Sequence, residues 1–511
     1  EYFAGTHFNP QHTCWNYSAD FLKYINRTQF LLQQGLYAAD VVQYYGDNVP
    51  NFTQGEWNNT AKSLPDYAYD VASKDAVLNM KVFDGRIFLP DGMNYKVLVL
   101  PEVSGMDIHV FHKIIWLVKE GATVIGSPPK RASDLESFGV KHDRVYGNDD
   151  TVKSYVNELW GKDVSAPKIR QVEKGRIITG MTAAEVLRND KLPPDVQRLS
   201  GSLPDGQHRI KWIHRTLHDG NIFGGKISTL PPIKTATTPE ISPQVALNNT
   251  NRTEIYFVSN LVAKTDKTEI AFRVTQKQPE FWDALTGTIT DAKSFRQENG
   301  QTIIPIEFAP YGSVFVVFRK PISVTQQGTE TSNVPKVEKQ ISIDGSWDVS
   351  FAPKLGGVEK ITFDQLIFWN QHEDKRIKYY SGAATYRKIV TIPKDFVNGD
   401  AQEKSSSNAN KLRYVLQFEH IAEIAAIRLN DKTLGSVWAK PYQIDVTDAI
   451  REGENMLEIE VVNHWANRII GDSLLPESER LTKTNIQRLT PQTPLVDSGL
   501  SGDVVILRVV Q

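Results

Sequence analysis

Two hydrophobic rhythms divide the chain. In the first, apolar positions run on without a break. "YKVLVLP" (95–101) and "ATVIGSPP" (122–129) read as strands of a parallel sheet, buried on both faces. Between them, "MDIHVFHKIIWLVKEG" (106–121) repeats its apolar positions at helical spacing and stops at Gly121, which predicts an amphipathic helix. "DDTVKSYVNELWG" (149–161) predicts another. Strand, helix, strand, helix is a doubly wound α/β unit, placed at 65–169 and flavodoxin- or amidotransferase-like in pattern. It carries neither a Gly-rich phosphate loop nor a nucleophile elbow, so dinucleotide binding has no support.

The second rhythm alternates or is rich in β-branched and aromatic residues. "TEIYFVSN" (253–260), "TEIAFRV" (268–274) and "GSVFVVFR" (312–319) predict strands of a β-rich domain over 170–320. A Pro-, Thr- and Asn-rich insertion at 220–251 predicts an exposed loop, and 321–336 a polar linker. From 337 to 511, short strands follow one another to the terminal "GDVVILRVV". In "NMLEIEVVNHW", Leu457, Ile459 and Val461 share one face, the signature of a half-buried strand in a β-sandwich.

The start of the chain has the first rhythm. Phe21, Leu22, Ile25, Phe30, Leu31 and Leu32 are spaced for a helix over 15–34, with Gly35 as its stop. Ala38 to Tyr45 reads as a buried strand, and Gly46 to Pro50 as the loop after it. Strand end, helix, strand, polar loop fits a parallel sheet or a barrel. In either, the functional rim lies at the C-terminal ends of the strands. His7 and Asn9 would stand on one such rim loop, Tyr45 and Asp47 on its neighbour.

Composition narrows the function. The chain has 511 residues, enough for three or four domains. Its net charge of −2 gives no electrostatic case for nucleic acid or an anionic membrane. No apolar run approaches the ~20 residues that span a bilayer. The single cysteine, Cys14, excludes an internal disulfide framework and a Cys-based zinc site.

An ordered series of stretches resembles glycoside hydrolase family 106, the α-L-rhamnosidases. "GTHFNPQHTCW" and "YINRTQFLLQQGLYAADVVQYYGD" are similar to a late segment of the family's barrel, and "DGRIFLPDGMNYKVLVLP" to its α/β domain. "WIHR", "EIYFVSN", "FWDALTG" and "YGSVFVVFR" follow in its β-domain. "KYYSGAATY", "VWAKPYQIDVT", "GENMLEIEVVNHWANRIIGD" and "SGLSGDVVIL" follow in its terminal sandwich. The series covers nearly the whole chain. It departs at Cys14, where the family has the first of two paired tryptophans.

The resemblance implies a multidomain α/β plus β fold: the last units of a (β/α)8 catalytic barrel over 1–64, the doubly wound domain, the β-domain and a galactose-binding-like β-sandwich. It implies that an N-terminal barrel half, with the acid catalyst, stands outside this sequence. It further implies an inverting, calcium-dependent glycosidase acting on rhamnose-containing plant glycans, bacterial and periplasmic or secreted. Inversion uses an acid and a base carboxyl roughly 6.5–9.5 Å apart.

Glu1, directly before "GTHFNP", is the candidate general base, although a terminal Glu is commonly just solvated. His7 and Asn9 are candidates for sugar hydroxyls, or for tying their own loop together. Trp15 could stack on a sugar ring or fill core. Tyr45 ends the expected last barrel strand. Asp47 could ligate calcium, bind a hydroxyl or cap a turn. His214 and Arg215 would reach the pocket or lock a domain interface. In the sandwich, Trp438, Tyr442, Trp465, Asn467 and Arg468 read as an interface set ahead of a sugar site.

Overall fold

The computed structural model describes residues 9–46, 64, 66–103, 105–132, 149–162, 167–200, 210–217, 252–397, 412–484 and 488–510. Glu1, His7 and Asp47, and the insertion 220–251, lie outside them.

The continuous apolar runs do build a parallel sheet. Its six strands stand in the order Lys168–Val172, Gly175–Thr179, Thr123–Ile125, Val97–Val99, Val41–Tyr44, Tyr69–Ala72. All neighbours are parallel except the first pair, which is antiparallel. Successive residues serve opposite faces, as the pleat requires. Val42, Leu98, Val124 and Ile177 pack into one core with Phe111, Ile114 and Val118 of helix Ile108–Lys119. Val41, Val97, Ile125 and Ile178 pack into another with Val186 and Leu187 of helix Ala183–Asn189. Both helices start at side-chain caps. Asp107 accepts from the N–H groups of His109 and Val110, and Thr182 and Glu185 form a reciprocal capping box.

This sheet corrects two expectations. Strand Val41–Tyr44 is no barrel strand; it lies in the open sheet between Tyr69–Ala72 and Val97–Val99. A strand buried on both faces has the same sequence pattern in either setting, so periodicity could not separate them. The boundaries at 64/65 and 169/170 also cut through this one sheet, since Lys168–Val172 and Gly175–Thr179 complete its edge.

The β-domain is two antiparallel sheets. One holds Leu36–Tyr37, Ile210–Leu217, Thr253–Asn260, Ser313–Pro321, Lys277–Trp282 and Ile289–Asp291; the other holds Val196–Arg198, Asp266–Phe272, Gln301–Phe308 and Arg296–Glu298. Tyr256, Val258, Phe272, Ile304, Val316 and Phe318 fill the space between them. On the outer face of the first sheet, Ile255, Trp282, Phe315 and Val317 meet Leu31 and Tyr24 of helix Ala19–Leu32. That helix buries less than its pattern predicted, leaving Leu22 and Phe30 exposed. The linker is tied along the β-domain, because Asn333 Oδ1 accepts from the N–H groups of Lys293 and Ser294.

The C-terminal strands form the expected sandwich. Its sheets are Lys336–Ser342, Gly499–Val510, Leu412–Ala422 and Gln443–Asp445, facing Ile361–Phe363, Trp347–Phe351, Ala383–Ile392, Gly453–Val462, Ile424–Leu429 and Lys432–Val437. Leu457, Ile459 and Val461 point into its core together with Trp347, Trp369 and Tyr386. Trp369 satisfies its buried N–H on the Tyr386 hydroxyl at 2.6 Å.

Candidate functional site

Among the described residues, two of the places where titratable side chains gather bear on function. The first is a cavity of about 710 Å³ between the α/β sheet and the β-domain. His214 lines it, and strand Ile210–Leu217 pairs that residue opposite Tyr256, so that the two rings stack at 3.9 Å. His214 Nδ1 lies 2.8 Å from Asp195 Oδ2, and Nε2 lies 3.0 Å from Glu254 Oε2. A neutral imidazole can donate from only one nitrogen, so two carboxylate acceptors select the imidazolium. Burial opposes the charge, yet Asp195 and Glu254 outweigh it and raise the ring to about 9.

The surrounding charges are locked in the same way. Asp195 also accepts from Tyr256 Oη at 2.9 Å, and Arg273 grips both oxygens of Asp40 at 2.9 and 2.8 Å. Arg252 Nε lies 3.0 Å from Glu254 Oε1. Burial works against ionising Asp195 and Glu254. His214 and Arg273 nonetheless hold Asp195 below the usual carboxylate range, and Arg252, His214 and Lys277 do the same for Glu254. A glycosidase acid needs a carboxyl raised in pKa, and these two are lowered. Neither fits the acid role, and Arg273, reaching from the β-domain to Asp40 beside strand Val41–Tyr44, ties the two domains across the cavity, whose wall also carries Arg86, which burial lowers to about 10.

The second place is where the start of the chain docks on the sandwich. Trp465 Nε1 donates to the Gln11 carbonyl at 3.0 Å, and Thr13 Oγ1 to the Asn463 carbonyl at 2.5 Å. Tyr17 Oη donates to Glu460 at 2.5 Å, and Ser436 N–H to Asp20 at 2.7 Å. Phe21 and Tyr24 meet the Trp438 ring edge-on at 5.2 and 5.5 Å. Inside this seam, Cys14 Sγ lies 3.8 Å from His464 Nδ1, and His464 Nε2 lies 3.3 Å from Glu423 Oε2. His12 packs edge-on to His464 at 4.8 Å between ring centroids. Cys14 and Glu423 raise the His464 ring to about 10, against partial burial.

The sequence candidates scatter across these places. Asn9 closes its own turn: its side chain accepts from Gln11 N–H at 2.9 Å and its carbonyl from His12 N–H at 3.0 Å. Trp15 opens a short 3-10 helix, Trp15–Tyr17, and is half-buried. Tyr45 follows strand Val41–Tyr44 and donates its N–H to the Ala72 carbonyl, so its neighbours belong to the α/β sheet. His214 does reach a cavity, with both N–H groups occupied by carboxylates. Arg215 turns away, its guanidinium held by the carbonyls of Gln34 at 2.9 Å and Gly35 at 2.6 Å. It is an interface lock. Trp438 and Trp465 hold the docked segment, and Asn467 ties the sandwich's own chain at Val496 and Ser498.

Asp40, Asp195, Glu254 and Arg273 were missed, although a Glu in the otherwise buried strand "TEIYFVSN" was a signal. Glu423 and His464 were missed because, although Trp465 next to His464 was a candidate, nothing along the chain pairs either residue with Cys14.

Among the described residues, His12, Cys14 and His464 are the grouped His, Cys, Asp or Glu side chains that could hold an ion. Calcium takes oxygen donors, and a sulfur-and-nitrogen set does not suit it. No helix among the described residues is long and apolar enough to cross a membrane.

Three comparisons bear on these sites. A family model described as alpha-L-rhamnosidase, of glycoside hydrolase family 106, matches residues 2–224 and 233–297. A second, the glycosyl hydrolase 2 galactose-binding domain-like model, matches 368–482. A solved rhamnosidase from Novosphingobium sp. PP1Y is 26% identical with a TM-score of 0.78, covering 99% of this chain and 42% of that one. A putative beta-glucuronidase from Formosa agariphila is 23% identical over 93% of this chain and 53% of its own length. The chain thus spans about half the length of the curated relative it matches.

Proposed function

The chain belongs to glycoside hydrolase family 106, and on that premise we propose that it is the C-terminal part of an inverting α-L-rhamnosidase. Its substrates in this reading are terminal α-L-rhamnosyl linkages in plant polysaccharides or glycosides. The observation that carries the reading is the likeness to a rhamnosidase over 99% of this chain, running through every domain described above.

In this reading Glu1 is the general base that activates water, and His7 and Asn9 orient sugar hydroxyls beside it. The docked seam supports that assignment. Gln11, Thr13 and Tyr17 fasten the stretch just after these residues to the sandwich, and catalysis requires its groups on such a fixed support.

Hydrolysis of an aryl α-L-rhamnoside by the whole protein, in which this chain is joined to a barrel half bearing the acid, tests the proposal, with the anomer released first read by proton NMR. Turnover with inversion is expected. Glu1→Gln should lower kcat by about 10²–10⁴-fold, and an unchanged rate removes Glu1 from the mechanism. The galactose-binding-like match over 368–482 favours a second reading, a carbohydrate-binding module. Retardation on a rhamnan-containing gel without any turnover would select it.

A further inference from the structure

We propose that His12, Cys14 and His464 form a binding site for a zinc-type transition-metal ion, with Glu423 as the carboxylate that orients His464. Nothing in this inference depends on the rhamnosidase reading.

The geometry is close to what such an ion needs. Zn–S bonds of about 2.3 Å and Zn–N bonds of about 2.0–2.1 Å place tetrahedral S and N ligands roughly 3.5 Å apart. Cys14 Sγ and His464 Nδ1 are 3.8 Å apart, and one donor atom from each of the three residues falls within 4.8 Å of the others. Small side-chain adjustments bring all three to one centre. Three protein ligands leave a fourth position for water or a ligand, as in open zinc sites. Cys14 is buried while His12 and His464 are partly exposed, so that position is reachable from solvent.

The support is built as metal sites are built. His464 Nε2 faces Glu423 at 3.3 Å and Nδ1 faces Cys14, so an ion that displaces the Nδ1 proton finds the ring held by Glu423 through Nε2–H. This is the carboxylate–histidine arrangement that fixes a ligand's tautomer and ring plane. The two ligand loops are cross-tied on either side of the cluster, by Trp465 to Gln11 and by Thr13 to Asn463. Thiolate and imidazole donors select zinc, cobalt or copper over calcium and magnesium.

Along the chain, one cysteine offers too few soft ligands for a zinc site. The fold changes that count by bringing His464 to Cys14 across 450 positions.

The test uses purified protein titrated with Co²⁺ and then with Zn²⁺. About one Co²⁺ per chain should bind with a thiolate-to-cobalt charge-transfer band in the near ultraviolet, and Zn²⁺ should displace it. Cys14→Ser should abolish the band, and His464→Gln should weaken binding at least about tenfold. Glu423→Gln keeps all three ligands and should weaken binding about 10–100-fold. Because the ion would staple the start of the chain to the sandwich, Zn²⁺ should raise the Tm of wild type but not of Cys14→Ser. Absence of stoichiometric Co²⁺ binding, or a band that survives Cys14→Ser, overturns the proposal. So does equal affinity in Glu423→Gln and wild type.

Discussion

Replacing His214 with Gln removes the one positive charge held directly between Asp195 and Glu254. The ring bridges them at 2.8 and 3.0 Å, with both carboxylates almost fully buried. Raising its pKa from 6.5 to about 9 on folding corresponds to about 3 kcal/mol. Loss of the 3.9 Å stack on Tyr256 adds about 1 kcal/mol. The total of about 4 kcal/mol agrees with the roughly 3–5 kcal/mol typical of unpairing a buried charge.

The sign with pH follows from proton uptake. The folded state binds the His214 proton more tightly than the unfolded state does. Its contribution is fully present below pH 6.5 and is lost as pH rises through about 9. Asp195 and Glu254 act oppositely: their lowered pKa values stabilise above the ordinary carboxylate range, and this is lost in acid.

Hydrogen exchange of the Ile210–Leu217 segment, read by mass spectrometry, follows the local opening energy. At pH 6 the variant should open more easily by about 4 kcal/mol. At pH 10 the gap should fall to about 1 kcal/mol. A gap that does not change with pH, or one below about 1 kcal/mol at pH 6, would refute the imidazolium assignment.

Two further substitutions probe the seams. Arg215→Lys loses the planar fork on the Gln34 and Gly35 carbonyls, and should cost about 1–3 kcal/mol in a urea melt and open the end of helix Ala19–Leu32 to protease. Unaltered cleavage there would mean that strand pairing alone holds the junction. Gly499 adopts φ +92°, and a Cβ at that position would overlap the buried indole of Trp369. Gly499→Ala should destabilise the sandwich by about 2–4 kcal/mol by calorimetry, with a neutral result showing that the indole can move.

Local residue patterns specify which elements form and which faces they bury. Val41 and Val42, Val97 and Leu98, and Val124 and Ile125 divide between two cores because the strand period is two. Leu457, Ile459 and Val461 reveal the sandwich for the same reason. The "GTHFNP", "WIHR" and "NHWANR" stretches also carried the family. Which distant elements meet is settled by packing. It placed Val41–Tyr44 in an open sheet, closed Asp195 and Glu254 around His214, turned Arg215 to the helix end and joined Cys14 to His464. Periodicity is a property of neighbours along the chain. Ion pairs and metal-type clusters depend on which distant surfaces meet, and that is fixed by how whole sheets pack against one another.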